Sequence, residues 1–174
     1  MSDPVGASVL VPSPVGPLLL RARGAALVEV RFDAPETGDD GAAPGQDPGP
    51  AAEVLARTRV QLEEYFAGER EDFALPLAPA GTDFQHRVWD VLATVPWGRT
   101  TTYGAIAARL GLPPGASRAV GAANGANPLP IVLPCHRVIG SDGTLTGYAG
   151  GLWRKATLLR LERVATAADQ APLF

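Results

Sequence analysis

The segment DAPETGDDGAAPGQDPGP (33–50) contains almost no side chain that a folded core could bury. Pro, Gly and Asp favour turns and irregular backbone over helix and strand. The segment therefore predicts a mobile surface loop, and the chain must build its core from the apolar segments on either side of it.

The residues before this loop predict a small sheet. In 7–32, short apolar runs are broken by Pro-Val-Gly and Arg-Gly, which is the pattern of a strand, a hairpin and a further strand. Behind the loop, the segment 51–69 carries one apolar helical stripe, formed by Val54, Leu55, Leu62, Tyr65 and Phe66. Because this stripe can cover the sheet, residues 1–80 are predicted to form a small α/β domain.

A Pro- and Ala-rich connection, LPLAPAG (75–81), leads to a second domain that is predicted over 82–163 and is mainly helical. Its first helix, predicted over 82–95, can begin at a capping residue, Thr82 or Asp83. The apolar face of this helix carries Phe84, Val88, Trp89, Leu92 and Val95.

Two short helices joined by a tight turn follow. They are predicted over 100–112 and 116–127 with Pro-Pro-Gly (113–115) between them, which is the pattern of a helix-turn-helix. Apart from Arg118, the second helix consists mostly of Ala and Gly, so its backbone could come close to another surface, such as a narrow groove of DNA. A helical hairpin that packs within its own domain fits the same pattern.

Charge is divided unevenly along the chain, whose formal net charge is −3. Residues 1–81 hold six Arg and 13 acidic residues, a net charge of −7, whereas residues 82–174 hold nine Arg and Lys and five acidic residues, a net charge of +4. A basic second domain suits a surface that binds phosphates, but an uneven surface without a partner would have the same composition.

Composition excludes several classes of protein and site. The sequence has no apolar run of about 18 residues and no basic start followed by an apolar stretch, so neither a membrane span nor a signal peptide is expected. The cytoplasm is the default location. One cysteine and two histidines make a poor structural zinc site, which usually needs four ligands. No metal, cofactor or disulfide is expected.

The single cysteine, Cys135, lies in NPLPIVLPCHRVIG (127–140). Three prolines among apolar residues predict a stiff, extended and buried segment just before it. A thiol reacts as the thiolate, which His136, Arg137 or a His–carboxylate pair would favour, so Cys135 is a candidate nucleophile. The alternatives are a buried structural cysteine and a Cys-dependent hydrolase, whose distant histidine could only be His86.

The motif PCHRVIG, with RAVGAANGANP before it and GYAGGLWRKATLLRLE after it, closely resembles the O6-alkylguanine-DNA alkyltransferases, the methylated-DNA–protein-cysteine methyltransferases of direct DNA repair. The resemblance extends from about Phe84 to Glu162, and the N-terminal third matches more loosely. It implies an α+β fold, with a small ribonuclease H-like α/β domain before a mainly helical, winged-helix-like domain that contains the helix-turn-helix. It also implies a reaction that each molecule performs once.

The resemblance implies a role for individual residues in that reaction. Cys135 would take the alkyl group from guanine O6 and keep it. His136 would deprotonate Cys135 through a water molecule, while Glu162 holds the imidazole. Tyr103 would donate to the leaving base, and Asn127 would brace the segment that carries the cysteine.

The remaining residues of the implied site divide into two groups. The target nucleotide must leave the duplex, and Arg118 would fill its place from the minor groove. The implied DNA-binding residues are Arg118, Ala119, Ala122, Ala123 and Asn124. The implied pocket for the base and its alkyl group consists of Pro130, Val138, Tyr148, Ala149 and Gly150.

Double-stranded DNA is thus the expected partner of a monomer that does not contact membranes. A non-repairing binder of alkylated DNA, or a helix-turn-helix regulator, is the alternative. Residues 164–174 are expected to be a flexible tail ending in QAPLF. Gln170, Leu173 and Phe174 are similar to the peptides with which bacterial DNA-processing proteins bind the sliding clamp; a frayed terminus that packs on its own domain is the alternative.

Overall fold

The computed structural model describes residues 6–34 and 49–165. Contacts divide the chain into two compact units, Met1–Ala80 and Gly81–Phe174. Nearly all of the loop predicted over 33–50 and most of the tail predicted over 164–174 lie outside the described residues. Within the described ranges, no helix is long and apolar enough to cross a membrane.

The first unit contains a sheet and one helix. The sheet is antiparallel with its strands in chain order, and one long helix, α1, follows it. Pro50 stands at the first turn of α1, where its missing N–H leaves no helical hydrogen bond unmade. The elements are β1 (Gly6–Val11), β2 (Leu18–Arg23), β3 (Ala26–Phe32) and α1 (Pro50–Phe66).

Helix α1 contacts all three strands through the apolar stripe that the sequence predicts. Its buried members are Val54, Leu55, Leu62 and Tyr65, and Phe66 is half-buried. The side-chain amide of Gln61 adds two hydrogen bonds to the backbone of Ala74, which fasten the chain after α1 to the helix. The prediction of a small α/β unit is confirmed.

The second unit is mainly helical. Its two short strands, β4 (Thr101–Thr102) and β5 (Val138–Ile139), pair in parallel. Strand β4 leads directly into α3, and β5 follows directly after a short 3-10 helix. The elements are α2 (Asp83–Leu92), β4 (Thr101–Thr102), α3 (Tyr103–Arg109), α4 (Ser117–Gly125), the 3-10 helix (Cys135–Arg137), β5 (Val138–Ile139) and α5 (Leu152–Leu161).

Helix α2 begins at the cap residue predicted from the sequence. Thr82 Oγ1 accepts from the Gln85 amide at 3.1 Å, and the Gln85 side chain accepts from the Thr82 amide at 2.9 Å. The helix ends at Leu92, earlier than the predicted range of 82–95, because Thr94 and Val95 donate to carbonyls three residues back in tighter turns.

Helices α3 and α4 confirm the predicted order of helix, turn and helix, but both are shorter than predicted. The side chain of Thr102 accepts from the Ala105 amide and fixes the start of α3. After α3, Gly111 has a φ of 69°, a conformation that glycine adopts without strain. On α2, Trp89 Nε1 donates to the Ala123 carbonyl at 2.9 Å and so anchors α4.

The segment before Cys135 is buried, as predicted, but the prediction that it is extended is wrong. Ile131 has a φ of 74°, and the Leu133 amide donates to the Leu129 carbonyl at 2.8 Å, which closes a compact turn. Proline offers no amide hydrogen for strand pairing, so Pro128 and Pro130 suit such a turn better than a strand.

Candidate active site

Cys135 begins the 3-10 helix and is 5% exposed. Its amide donates to the Leu133 carbonyl at 2.7 Å. Asn127 holds the preceding turn from two sides, because its Nδ2 donates to the Leu133 carbonyl at 2.8 Å and its Oδ1 accepts from the Leu129 amide at 2.9 Å. The candidate nucleophile is therefore fixed by hydrogen bonds at the end of a buried turn.

His136, Arg137 and Glu162 form a buried ionic network next to Cys135. Glu162, which caps the C-terminal end of α5, has its Oε1 at 2.7 Å from His136 Nε2. Arg137 donates to both carboxylate oxygens at 2.8 Å, and its Nη1 donates to the Val95 carbonyl at 2.6 Å. The paired carboxylate and guanidinium satisfy each other, which offsets the cost of burying charge.

This network sets the protonation of the histidine. Burial alone would raise the pKa of Glu162, but hydrogen bonds from His136 and Arg137 lower it to about 2. Burial lowers the pKa of His136, and Glu162 opposes the shift only in part. Glu162 is thus ionised and His136 neutral at pH 7. The carboxylate at Nε2 keeps the proton there, so Nδ1 is the basic atom.

The thiol lies among groups that act on it in opposite directions. Burial raises the pKa of Cys135, while a hydrogen bond from Asn127, the charge of Lys155 and a hydrogen bond from Tyr148 lower it. The net shift is upward, so the resting side chain is a thiol at pH 7. It needs a base to remove its proton before it can attack, and the neutral imidazole of His136 is the neighbouring base.

Lys155 is a buried cation on α5. Its Nζ donates to the Val138 carbonyl at 2.6 Å and to the Thr146 carbonyl at 2.7 Å. Burial lowers its pKa to about 8, so it remains mostly charged at neutral pH. The ammonium therefore ties the loop before α5 to the segment that carries Cys135, and it adds positive charge near the thiol.

A cavity of about 540 Å³ opens beside α4 and the loop before α5. Across it, the Tyr103 hydroxyl and Thr146 Oγ1 share a hydrogen bond of 2.9 Å. Tyr148 and Ala149, two of the predicted pocket residues, lie in its wall. Among the residues that line it are Tyr103, Arg118, Asn124, Thr146, Tyr148 and Ala149.

Three residues predicted for the pocket do not line this cavity. Pro130, Val138 and Gly150 are buried. The Val138 carbonyl accepts from Lys155, and the Gly150 carbonyl accepts from Arg154 at 2.9 Å. These carbonyls are thus used in holding the loop, which sequence patterns do not reveal.

The predicted DNA-binding set lies on two sides of α4. Arg118, Ala119 and Ala122 are exposed. Ala123 and Asn124 are 3% and 4% exposed, because Trp89 binds the carbonyl of Ala123 and Asn124 faces the Cys135 carbonyl. The prediction that Ala123 and Asn124 lie on the exposed face of α4 with the other three is therefore corrected; of the five predicted DNA-binding residues, Arg118, Ala119 and Ala122 are exposed.

Two family models match consecutive parts of the chain. The ribonuclease-like domain of 6-O-methylguanine DNA methyltransferase matches residues 9–79, and the DNA-binding domain of the same family matches residues 83–164. The chain belongs to the 6-O-methylguanine DNA methyltransferase family. This membership confirms the family that the sequence motif resembles.

Known members of the family are similar over nearly their whole length. The methylated-DNA–protein-cysteine methyltransferase of Mycobacterium bovis is 46% identical over 159 residues, which cover 91% of this chain and 93% of the relative. The crystal structure of the Mycobacterium tuberculosis O6-methylguanine methyltransferase is 44% identical with a TM-score of 0.76, over 94% of this chain and 96% of that one. The Mycobacterium tuberculosis OGT in complex with DNA is also 44% identical, with a TM-score of 0.73 over the same shares. The predicted α+β fold is confirmed.

In this member of the 6-O-methylguanine DNA methyltransferase family, sequence reasoning missed Lys155. A signal was present, because Lys155 shares one face of α5 with Leu158, Leu159 and Glu162 at helical spacing. A charged residue on an apolar stripe needs a buried partner. Among the described residues, no group of His, Cys, Asp and Glu could hold a metal ion.

Proposed function

We propose that the protein is a methylated-DNA–protein-cysteine methyltransferase that repairs O6-alkylguanine in double-stranded DNA by taking the alkyl group onto Cys135. The observation that carries this proposal is the buried Cys135 thiol next to a neutral His136, whose imidazole is held by an ionised Glu162. A nucleophile, a base and a group that orients the base are the parts that activation of a thiol requires.

In the proposed reaction, His136 Nδ1 takes the thiol proton through a bridging water molecule. Nδ1 is buried and has no hydrogen-bond partner among the described residues, so it is available for that contact. The Cys135 sulfur then bonds to the alkyl carbon as the bond from that carbon to O6 breaks, and the electron pair passes to the base. Tyr103 donates a hydrogen bond to the base and stabilises its developing negative charge.

The alkylated guanine must turn out of the duplex, because a sulfur that is 5% exposed cannot reach O6 inside stacked DNA. The cavity beside α4 has the size of a pocket for a small ligand. Arg118 lines this cavity and is exposed, which suits a side chain that takes the place of the extruded nucleotide. The small residues Ala119 and Ala122 let α4 approach the minor groove closely.

Intact-protein mass spectrometry after incubation with O6-methylguanine duplex tests this function. The full-length protein should gain the mass of one methyl group on Cys135 and react once. Cys135→Ala should bind the duplex but gain no mass, because the thiol is the reactant rather than a phosphate contact. Binding of the unaltered protein without a mass gain would identify a lesion-binding protein instead, and repeated turnover of an ester would identify a hydrolase.

Contact with the sliding clamp stays a prediction, since Gln170, Leu173 and Phe174 lie outside the described residues. Deletion of residues 170–174 should leave transfer on short duplexes unchanged and eliminate binding to the clamp. Failure of the full-length protein to bind the clamp would exclude this contact. A monomeric state and a cytoplasmic location also stay predictions.

A further inference from the structure

Asn124 is a polar side chain on the buried side of α4. It is 4% exposed and belongs to the lining of the 540 Å³ cavity. Its Nδ2 donates to the Cys135 carbonyl at 3.4 Å. Because a carbonyl can only accept, this contact fixes the orientation of the amide and assigns the other end of the side chain to Oδ1.

Asn124 Oδ1 is buried and has no hydrogen-bond partner within residues 6–34 and 49–165. Buried polar atoms in folded proteins nearly always have a partner, so an unpartnered acceptor on a residue that lines a cavity indicates a place where a ligand supplies the donor. Tyr103 and Thr146, which line the same cavity, share a hydrogen bond with each other.

The chemistry of the alkylated bases narrows the identity of that donor. In O6-alkylguanine the alkyl group keeps N1 without a proton, so the amino group on C2 is the only N–H donor of the base. The ring nitrogens N1, N3 and N7 and the oxygen O6 only accept. O4-alkylthymine is alkylated in the same way and has no N–H donor at all.

We infer that Asn124 Oδ1 accepts a hydrogen bond from the C2 amino group of the flipped O6-alkylguanine, and that this contact makes the protein prefer O6-alkylguanine to O4-alkylthymine. The inference rests on the proposed function. One amide then contacts both the substrate base and the backbone of the nucleophile, so Asn124 positions the base relative to Cys135. Asn124, which the resemblance places among the DNA-binding residues, then recognises the substrate base.

The test pairs a change in the protein with a change in the base. Single-turnover rates are measured on duplexes that contain O6-methylguanine or O6-methylhypoxanthine, which lacks only the C2 amino group. Loss of one buried hydrogen bond should slow the unaltered protein by about five- to tenfold on the second duplex. Asn124→Leu should react more slowly than the unaltered protein on O6-methylguanine. Removal of the amino group should then slow this variant by less than about twofold.

Arg118→Ala is the matched control, because Arg118 lines the same cavity and should contact the duplex rather than the amino group. It should slow both duplexes while keeping the rate ratio of the unaltered protein. O4-methylthymine provides a second measurement, since Asn124→Leu should reduce the preference for O6-methylguanine over O4-methylthymine.

The inference is overturned if removal of the amino group slows Asn124→Leu by the same factor as the unaltered protein. It is also overturned, without any variant, if the unaltered protein repairs both duplexes at the same rate. Thermal unfolding identifies a variant that does not fold, in which case Asn124→Ala replaces Asn124→Leu. Failure of the proposed function is distinct, because Cys135 would then gain no methyl group from any duplex.

Discussion

At the scale of single residues, the ammonium of Lys155 acts on two parts of the site. It holds the carbonyls of Val138 and Thr146, and its charge favours the thiolate of Cys135. Glu162 acts in the same way on its neighbours, since it orients His136 and neutralises Arg137. Each of these buried charges therefore has a structural effect and an effect on proton transfer.

Lys155→Met removes the ammonium and keeps an unbranched side chain. We expect the pKa of the Cys135 thiol to rise further, because the thiolate loses a nearby positive charge. Less of the thiol is then ionised at pH 7, so alkylation by iodoacetamide should slow several-fold. Lys155→Arg keeps the charge and should show a smaller change. If the alkylation rate of Lys155→Met had the same pH dependence as that of the unaltered protein, the effect of the ammonium on Cys135 would be contradicted.

Glu162 should make the fold sensitive to acid. Its pKa is about 2 in the folded protein against 4.5 ordinarily, so its stabilising contribution is complete above pH 4.5 and is lost as the pH falls towards 2. Glu162→Gln should lower the free energy of unfolding at pH 7 by about 3 kcal/mol, and by much less near pH 2. Urea unfolding at both pH values measures this difference. Glu63→Gln, at an exposed ion pair, is the control, and an equal loss at both pH values for Glu162→Gln would argue against the ionised network.

At the scale of elements, α4 combines an anchored side with an exposed side. Trp89 fixes the carbonyl of Ala123, and Asn124 faces the nucleophile. The opposite side presents Arg118 and two alanines. A duplex that binds this side would contact a helix whose position relative to Cys135 is already determined.

Ala122→Glu places a long acidic side chain on the exposed side of α4. We expect binding and repair of duplex DNA to fall by about tenfold, because the side chain adds bulk and repels phosphates. Reaction with free O6-benzylguanine should change by less than about twofold, since Ala122 does not line the cavity. Gel shift and single-turnover assays measure the two effects. Ala56→Glu, at an exposed position of α1, is the control and should change neither rate. If Ala122→Glu slowed the reactions with duplex DNA and with free O6-benzylguanine equally, Ala122 would not act through contact with the duplex.

The elements themselves were predictable where side chains differ strongly in polarity. The stripe of α1 and the cap at Thr82 follow from local rules, and the structure has both. The buried side of α4 could not be predicted, because a helix of Ala and Gly has little contrast between its faces. The turn before Cys135 depends on a left-handed Ile131 and on the side chain of Asn127, which are tertiary effects. Cys135 and His136 were found because their motif is contiguous, whereas the buried carbonyl partners of Lys155 come from elsewhere along the chain.

At the scale of the whole molecule, the two units differ in charge. The overall net charge is −3, yet residues 82–174 carry +4. Binding to duplex DNA should therefore weaken as salt rises, because phosphate contacts release counterions. Fluorescence anisotropy with a labelled duplex between about 50 and 200 mM salt measures the slope. A binding constant that is independent of salt would mean that the basic unit does not face the phosphates.

The chain contains one cysteine, and the proposed reaction consumes it. A thiol reagent applied to the unfolded protein therefore counts unreacted molecules directly, with no background from other sulfhydryls. Each repaired base permanently removes one thiol that the reagent can titrate, so a preparation of this protein is a dosimeter for O6-alkylguanine. Its capacity is fixed by the number of chains present, and only newly made protein can restore it.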